Sequence, residues 1–354
     1  MAAIPTMMAK APMAERIWIS LVSNLVRRIF RHYGAALAGS IAVIGLYVAS
    51  CSDAAAGEKP QFCVLVPHFK DEYWLSVGYG LEQEAARQNV DLLFFEAGGY
   101  RARARQIEQL DACAEQGVDA ILIGAVTSDH PDLMQAIAQV AQNVPVFGLV
   151  NELHADALSG RIGVDWREMG YAVGHHLAAL HPAGTPPRTA VAITGPVEAG
   201  WTAPLEAGLR DGLAGSAVTI VEVLGADTGL RQQLALVETA MERHPDIDFL
   251  IGSAPAVEAA VGLFVARENT DTPGLLSTYI SHTVMRGLMN GSVMAASFDD
   301  PMRQGVIAVR QAVTSTSGPG TTQTIGPPIR LLTRADSNFD QIRISPADYF
   351  PDIR

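Results

Sequence analysis

The stretch from Gln61 to Glu84, QFCVLVPHFKDEYWLSVGYGLEQE, decides the fold. Phe62 to Val66 is a continuous apolar run of strand length, Pro67, Lys70 and Asp71 lie in a short loop, and a helix opens near Trp74. A strand that feeds a helix through a short loop opens a βαβ unit, and such units build parallel sheets. In an open parallel sheet, ligands bind beyond the carboxyl ends of the strands. The loop therefore carries Asp71, Tyr73 and Trp74 to where a small molecule would sit. Two roles are open to the aromatic pair on this stretch alone: packing of the helix start, or contact with a ligand.

Outward from this stretch the same period repeats. Val90–Glu96, Val118–Val126 and Val144–Val150 are near-continuous Val/Ile/Leu/Phe runs separated by helical patterns at Arg101–Gln116 and Asp132–Gln142. Strands buried on both faces read this way, whereas half-exposed strands alternate. The pattern restarts after Asn151 and runs through Ile162–Trp166, Thr189–Thr194, Val218–Leu224, Phe249–Ser253, Leu275–Ile280 and Val293–Phe298. Asp299-Asp300-Pro301 breaks it, one of the two aspartates being placed to cap the next helix. A last helix (Met302–Thr314) and strand (Ile329–Leu332) follow, then a polar, proline-containing tail expected on the surface. The predicted class is α/β, with two doubly wound parallel-sheet lobes joined by a three-crossing hinge. Residues 60–151 with 299–326 make the first lobe and 152–298 with 327–345 the second; 346–354 are the tail. A ligand is expected between the lobes.

Residues 1–56 stand apart as an export segment. Arg27, Arg28 and Arg31 precede an uncharged run from Gly34 to Val48, too short for a comfortable membrane span. Val48-Ala49-Ser50-Cys51 resembles a lipoprotein box that would leave a lipid on Cys51, Ala54-Ala55-Ala56 suits ordinary cleavage, and Arg27-Arg28 resembles a twin-arginine signal. All three routes lead to the periplasm. The first fifty residues carry a net charge of +4 against −12 for the whole chain, which leaves −16 on the remainder. Such a surface repels nucleic acid and anionic membrane and argues against an anionic ligand as partner, so no nucleic-acid partner is expected. Cys63 falls in a strand and Cys113 in a helix; sequence does not give their separation, and two buried free thiols are expected.

Catalytic signatures are missing. No strand is followed by G-x-G-x-x-G, and there is no Walker-type G-x-x-x-x-G-K and no G-x-S-x-G elbow. His175 and His176 are neighbours on different helix faces, and no H-E-x-x-H accompanies them or His181, so neither metal nor cofactor is expected. The chain does not read as an enzyme. Aromatics are scarce, 6% of residues, and while Phe94 and Phe147 sit mid-strand as core residues do, a set of Tyr and Trp residues falls at strand ends. Tyr73 and Trp74 follow the first strand, Tyr100 the second, Trp166 the first strand after Asn151, and Tyr279 ends a later one; Trp201 sits in the loop after Thr194. Several ring faces converging on a cleft suit a methylated ammonium through cation–π attraction, and Tyr and Trp add donors for a polar oxygen. Asp71, Asp165, Asp299 and Arg303 keep a sugar ligand in play.

Pro67-His68-Phe69-Lys70-Asp71-Glu72-Tyr73-Trp74-Leu75-Ser76-Val77, Glu96-Ala97-Gly98-Gly99-Tyr100, Gln106-Ile107-Glu108-Gln109 and Gly124-Ala125-Val126 resemble the TorT family, and the resemblance runs from about Gln61 to Leu332. It implies a periplasmic binding protein of the ribose type (type I) that senses trimethylamine N-oxide and signals to a TorS-type membrane sensor histidine kinase controlling respiration of that compound. It carries the family's aromatic pocket onto Tyr73, Trp74, Tyr100, Trp166 and Tyr279, with Trp201 as a further wall that the motifs do not secure. Cys51 departs from the pattern, because a soluble periplasmic sensor needs no anchor. The competing function is a solute-binding component of an ABC transporter for a sugar or another methylated amine.

Overall fold

The computed structural model describes residues 59–266, 272–315, 323–336 and 339–354. The export segment 1–56, with Cys51 and the Arg27-Arg28 pair, lies outside them. Among the described residues no helix is long and apolar enough to cross a membrane.

In chain order the elements are β1 (Gln61–Val66), α1 (Glu72–Gln88), β2 (Asp91–Glu96), α2 (Arg103–Glu115), β3 (Ala120–Ile123), α3 (Pro131–Val140), β4 (Val146–Val150) and β5 (Gly160–Gly163). Next come α4 (Trp166–Leu180), β6 (Arg188–Thr194), α5 (Thr202–Leu213), β7 (Val218–Gly225), α6 (Leu230–Arg243), β8 (Phe249–Gly252), α7 (Ala254–Ala266), β9 (Gly274–Ser277), α8 (His282–Asn290) and β10 (Ala295–Phe298). The chain closes with α9 (Pro301–Thr314), β11 (Thr324–Ile325), β12 (Arg330–Thr333) and a short 3₁₀ turn at Phe339–Gln341. Two six-stranded sheets result, ordered β2-β1-β3-β4-β5-β11 and β7-β6-β8-β9-β10-β12. All pairings are parallel except β10 with β12.

Strand alternation sorts the first core. Phe62, Val64 and Val66 of β1 face one side, where Val77 and Leu81 of α1 and Val309 of α9 cover them. Cys63 and Leu65 face the other, against Leu110 and Cys113 of α2 and Leu133 and Ile137 of α3. Cys63 and Cys113 thus meet, with Cα atoms 6.2 Å apart, and form a disulfide, which corrects the expectation of two free thiols. The reason is geometric: odd positions of β1 point at α2, and Cys113 lies on that helix's buried face with Gln106, Gln109 and Leu110.

One further expectation changes. β5 pairs with β4, Phe147 opposite Gly160 and Leu149 opposite Ile162, so the strand read as the second lobe's first belongs to the first sheet. The chain crosses only after it, at Val164 and Asp165, and again after β10 and after β11. The tail lies on the surface as expected, only Ser345 and Pro351 being buried among its described residues, and it is tied down there. Ser345 N–H donates to Ser76 Oγ at 3.2 Å, Tyr349 packs edge-on against Tyr79, and Arg354 N–H donates to the Phe94 carbonyl at 2.9 Å. Meanwhile His282 Nε2, at the start of α8, donates to the Ser345 carbonyl at 2.6 Å. Its apolar residues decide this: Pro351 is buried and Ile353 bridges Phe94 beside β2. The tail runs back from the second sheet and straps onto the first.

Candidate functional site

Loops at the carboxyl ends of the strands bring the aromatic residues together between the lobes. Asp71 caps α1 through its Oδ1, which accepts the Tyr73 N–H at 3.1 Å. That cap fixes the helix start, so Tyr73 and Trp74 project from its first turn and are 3% and 2% exposed. Behind Trp74 the end of β3 offers only Gly124, where a Cβ would come within 2.4 Å of the indole. Tyr100 follows β2 through Gly98, whose φ of +103° favours glycine. Trp166 opens α4 behind its cap Asp165, and its indole N–H donates to the Val150 carbonyl at 3.2 Å. Tyr279 follows β9, and Trp201 sits at the start of α5.

Every residue proposed from sequence is present, Asp71, Tyr73, Trp74, Tyr100, Trp166 and Tyr279, and Trp201 joins them. All seven are buried. Trp166 and Trp201 lie 5.1 Å apart at 35°, Tyr73 and Tyr279 5.3 Å apart near edge-on, and Trp201 meets Tyr279 edge-on at 6.1 Å. Edge-to-face pairing of this kind suits the ring quadrupoles. Beside the cage opens a cleft of about 1350 Å³, with Tyr100 and Trp166 on its wall and Gly326 and Pro327 of the last crossing on its rim.

Two carboxyl groups hold the tyrosines. Asp71 Oδ2 accepts the Tyr279 hydroxyl at 2.7 Å, a bond from one lobe to the other. Asp299, at the second crossing, accepts the Tyr73 hydroxyl at 2.7 Å and the Gln304 amide at 2.8 Å. Burial lifts both carboxyls to about 6, only partly offset by these hydrogen bonds. Burial also raises Tyr73 and Tyr279 well above the ordinary phenol value, and the Asp299 and Asp71 charges push the same way. The Tyr73 and Tyr279 phenols are thus protonated donors, each committed to its carboxyl partner. Of the hinge aspartates, Asp300 caps α9, accepting the Arg303 N–H at 3.0 Å, and Asp299 serves the cage.

Sequence reasoning misses three residues. Asn151 donates its amide to the Tyr100 hydroxyl at 3.3 Å and to the Ala125 carbonyl at 2.8 Å. His68, fully buried, donates Nε2–H to Asp227 Oδ1 at 2.8 Å, and Asp227 Oδ2 accepts the Tyr100 N–H at 3.0 Å, so Asp227 of the second lobe clasps two loops of the first. Burial raises the Asp227 carboxyl, but the His68 ring and the Tyr100 amide outweigh it and hold it below its usual value. A signal existed: Asn151 and Asp227 are among the polar residues at or just beyond strand carboxyl ends, a criterion applied to aromatics alone.

Two parallel-sheet lobes with a buried aromatic cage between them define a protein that closes on a small molecule, and residues 59–352 match the family of periplasmic binding proteins and the sugar-binding domain of the LacI family. The chain belongs to this family and, within it, to the TorT proteins. It is 39% identical over 294 residues, 82% of this chain and 83% of the relative, to the periplasmic protein TorT of Escherichia coli O157:H7. Among solved structures it is similar to TorT in a TorS sensor domain–TorT complex in the presence of trimethylamine N-oxide, with a TM-score of 0.72, 35% identity, and coverage of 84% of this chain and 100% of that one. A solute-binding protein of an ABC transporter from Bradyrhizobium sp. BTAi1, with bound bis-tris, is also similar, with a TM-score of 0.70, 35% identity, and coverage of 84% and 90%.

Proposed function

We propose that the chain is a periplasmic sensor that closes its lobes around trimethylamine N-oxide and presents the closed form to a TorS-type sensor histidine kinase, with no bond-breaking role. The ligand would lie among Tyr73, Trp74 and Tyr100 of one lobe and Trp166, Tyr279 and Trp201 of the other, with Asp71 orienting Tyr279. Each ring facing the methyls would contribute about 0.5 to 2 kcal/mol of cation–π attraction. One observation carries the proposal. The Tyr100 hydroxyl accepts N–H donors from Asn151, Trp201 and Trp74, and among the described residues no acceptor takes its own proton. A cage with a buried, uncommitted phenol donor fits a ligand that pairs methyls with a strongly accepting oxygen, as an N-oxide does. The TorS sensor domain–TorT complex solved with this compound supports the same ligand and partner. Calorimetry of the exported protein against trimethylamine N-oxide, choline, betaine and ribose tests it. Trimethylamine N-oxide should give the tightest binding, and Trp166→Ala should weaken it by at least tenfold; no heat with millimolar trimethylamine N-oxide would sink the proposal.

The Bradyrhizobium similarity favours a second reading, delivery of a polyhydroxylated amine or sugar to an ABC transporter. Ribose or bis-tris heat that survives Trp166→Ala would select it.

A further inference from the structure

The fold secures Trp201, which the sequence left as an unattached wall. The two sheets share one strand order, so β6 and α5 stand in the second lobe where β1 and α1 stand in the first. Trp201, at the start of α5, is therefore the positional counterpart of Tyr73 and Trp74. Each indole is seated over a glycine: a Cβ on Gly195, at the end of β6, would come within 2.4 Å of the Trp201 ring, as one on Gly124 would of Trp74. Main chain rather than a movable side chain backs the ring, which fixes where its N–H points.

That N–H donates to the Tyr100 hydroxyl at 3.1 Å, across the cleft. A phenol oxygen carries two lone pairs and one proton. The Asn151 amide at 3.3 Å, the Trp201 indole and the Trp74 indole all donate to this oxygen and so crowd its lone-pair side, and the amide is itself pinned by the Ala125 carbonyl at 2.8 Å. The proton cannot point at any of these three donors and is directed into the remaining sector of the cage. We propose that Trp201 is a positioning residue that aims the Tyr100 proton at the ligand's oxygen, and so sets the preference for an N-oxide over a quaternary ammonium without oxygen. This rests on the reading that the cage holds trimethylamine N-oxide. The rings attract the methyl groups on the positive nitrogen of both the dipolar N-oxide and the quaternary cation through the same face charge, so ring contact alone does not separate them. A buried donor without an acceptor does, because a ligand lacking the oxygen leaves the phenol proton unsatisfied.

Calorimetric titration of the exported protein with trimethylamine N-oxide and with tetramethylammonium tests this on wild type and Trp201→Phe, which keeps a ring and removes the N–H. The expected result is a roughly tenfold loss of N-oxide affinity with tetramethylammonium affinity held within about twofold, so that selectivity falls roughly tenfold. A merely structural role would weaken both ligands together. Wild type that binds the N-oxide, with an unchanged ratio in Trp201→Phe, overturns the role of Trp201 and leaves the functional proposal standing. Wild type that gives no heat with the N-oxide overturns both. Should Trp201→Phe not fold, Tyr100→Phe deletes the proton itself, and an unchanged ratio there also refutes the inference.

Discussion

Replacing Asp299 by Asn should flatten the stability of this protein between pH 4 and pH 7. Asp299 is fully buried, holds the Tyr73 hydroxyl at 2.7 Å and the Gln304 amide at 2.8 Å, and is lifted by burial from 3.8 to about 6. In the unfolded chain it titrates near its ordinary value, so between the two values the folded protein holds the extra proton. Stability therefore falls as pH rises. The contribution is fully present below about pH 3.8 and is lost as pH climbs through 6. A shift of about two units corresponds to roughly 3 kcal/mol for this one carboxyl. Asp71 shifts the same way to about 6, and burial with the Glu72 and Asp71 charges lifts Glu258 to about 7, so wild type loses stability over the same window from several sources. Glu84, held down to about 2 by Arg310, acts below it, its contribution vanishing only as pH falls through that value. The difference between wild type and Asp299→Asn isolates one group, because Asn keeps an oxygen for the Tyr73 hydroxyl. Urea unfolding at pH 4, 5, 6 and 7 should show the variant losing roughly 3 kcal/mol less across the series at unchanged m-value. Parallel curves for the two proteins would refute the assignment.

Two further perturbations test the scaffold. Cys63 and Cys113 are 50 residues apart in sequence, and chain-entropy loss for such a loop makes the disulfide worth about 4 kcal/mol; Cys63→Ala with Cys113→Ala should lower urea stability by that order, and two titratable thiols in denatured, unreduced, exported protein would contradict the bond. Where α1 crosses α9, a Cβ on Gly80 would come within 1.9 Å of the Met302 carbonyl and one on Gly305 within 2.3 Å of the Val77 carbonyl. Gly80→Ala, which on an exposed helix would stabilise by up to about 1 kcal/mol, should here cost about 1 to 3 kcal/mol in thermal unfolding, and an unchanged Tm would show the helices free to separate.

What the sequence revealed and what it hid divide along a physical line. Parallel strands buried on both faces write their burial into every residue, so VDLLFFE and VPVFGLV are legible without any partner. Aromatics at strand ends are legible for a related reason: the parallel sheet fixes which end holds the ligand before any side chain is placed. Partnership between distant segments is different. GRIG of β5 is a four-residue strand whose pattern says nothing about which sheet accepts it, and only the hydrogen bonds to β4 decide. Cys63 and Cys113 carried half of the answer, one on an odd strand position and one on a buried helical face, but the facing of α2 on β1 is tertiary information. Polarity places the tail on the surface, while its docking beside β2 follows from Pro351 and Ile353, two residues that composition averages away.

The cage also explains why binding is readable from outside. A ligand shifts only those equilibria whose end states it binds differently, so a two-state receptor needs contacts from both lobes. Here the lobes already hold each other through Asp71 to Tyr279, His68 and the Tyr100 amide to Asp227, and Trp201 to Tyr100. All of these bonds break together when the lobes part, because each has one partner on either side of the cleft. Each exchanges a protein partner for water on opening and so contributes only about 0.5 to 1.5 kcal/mol net, more where a carboxylate accepts. Their sum is a modest contribution to the closed form, and contacts that a ligand makes to both lobes would add to it in the same direction. A partner touching both lobes then senses the ligand through the spacing of its two footholds, without meeting the ligand itself.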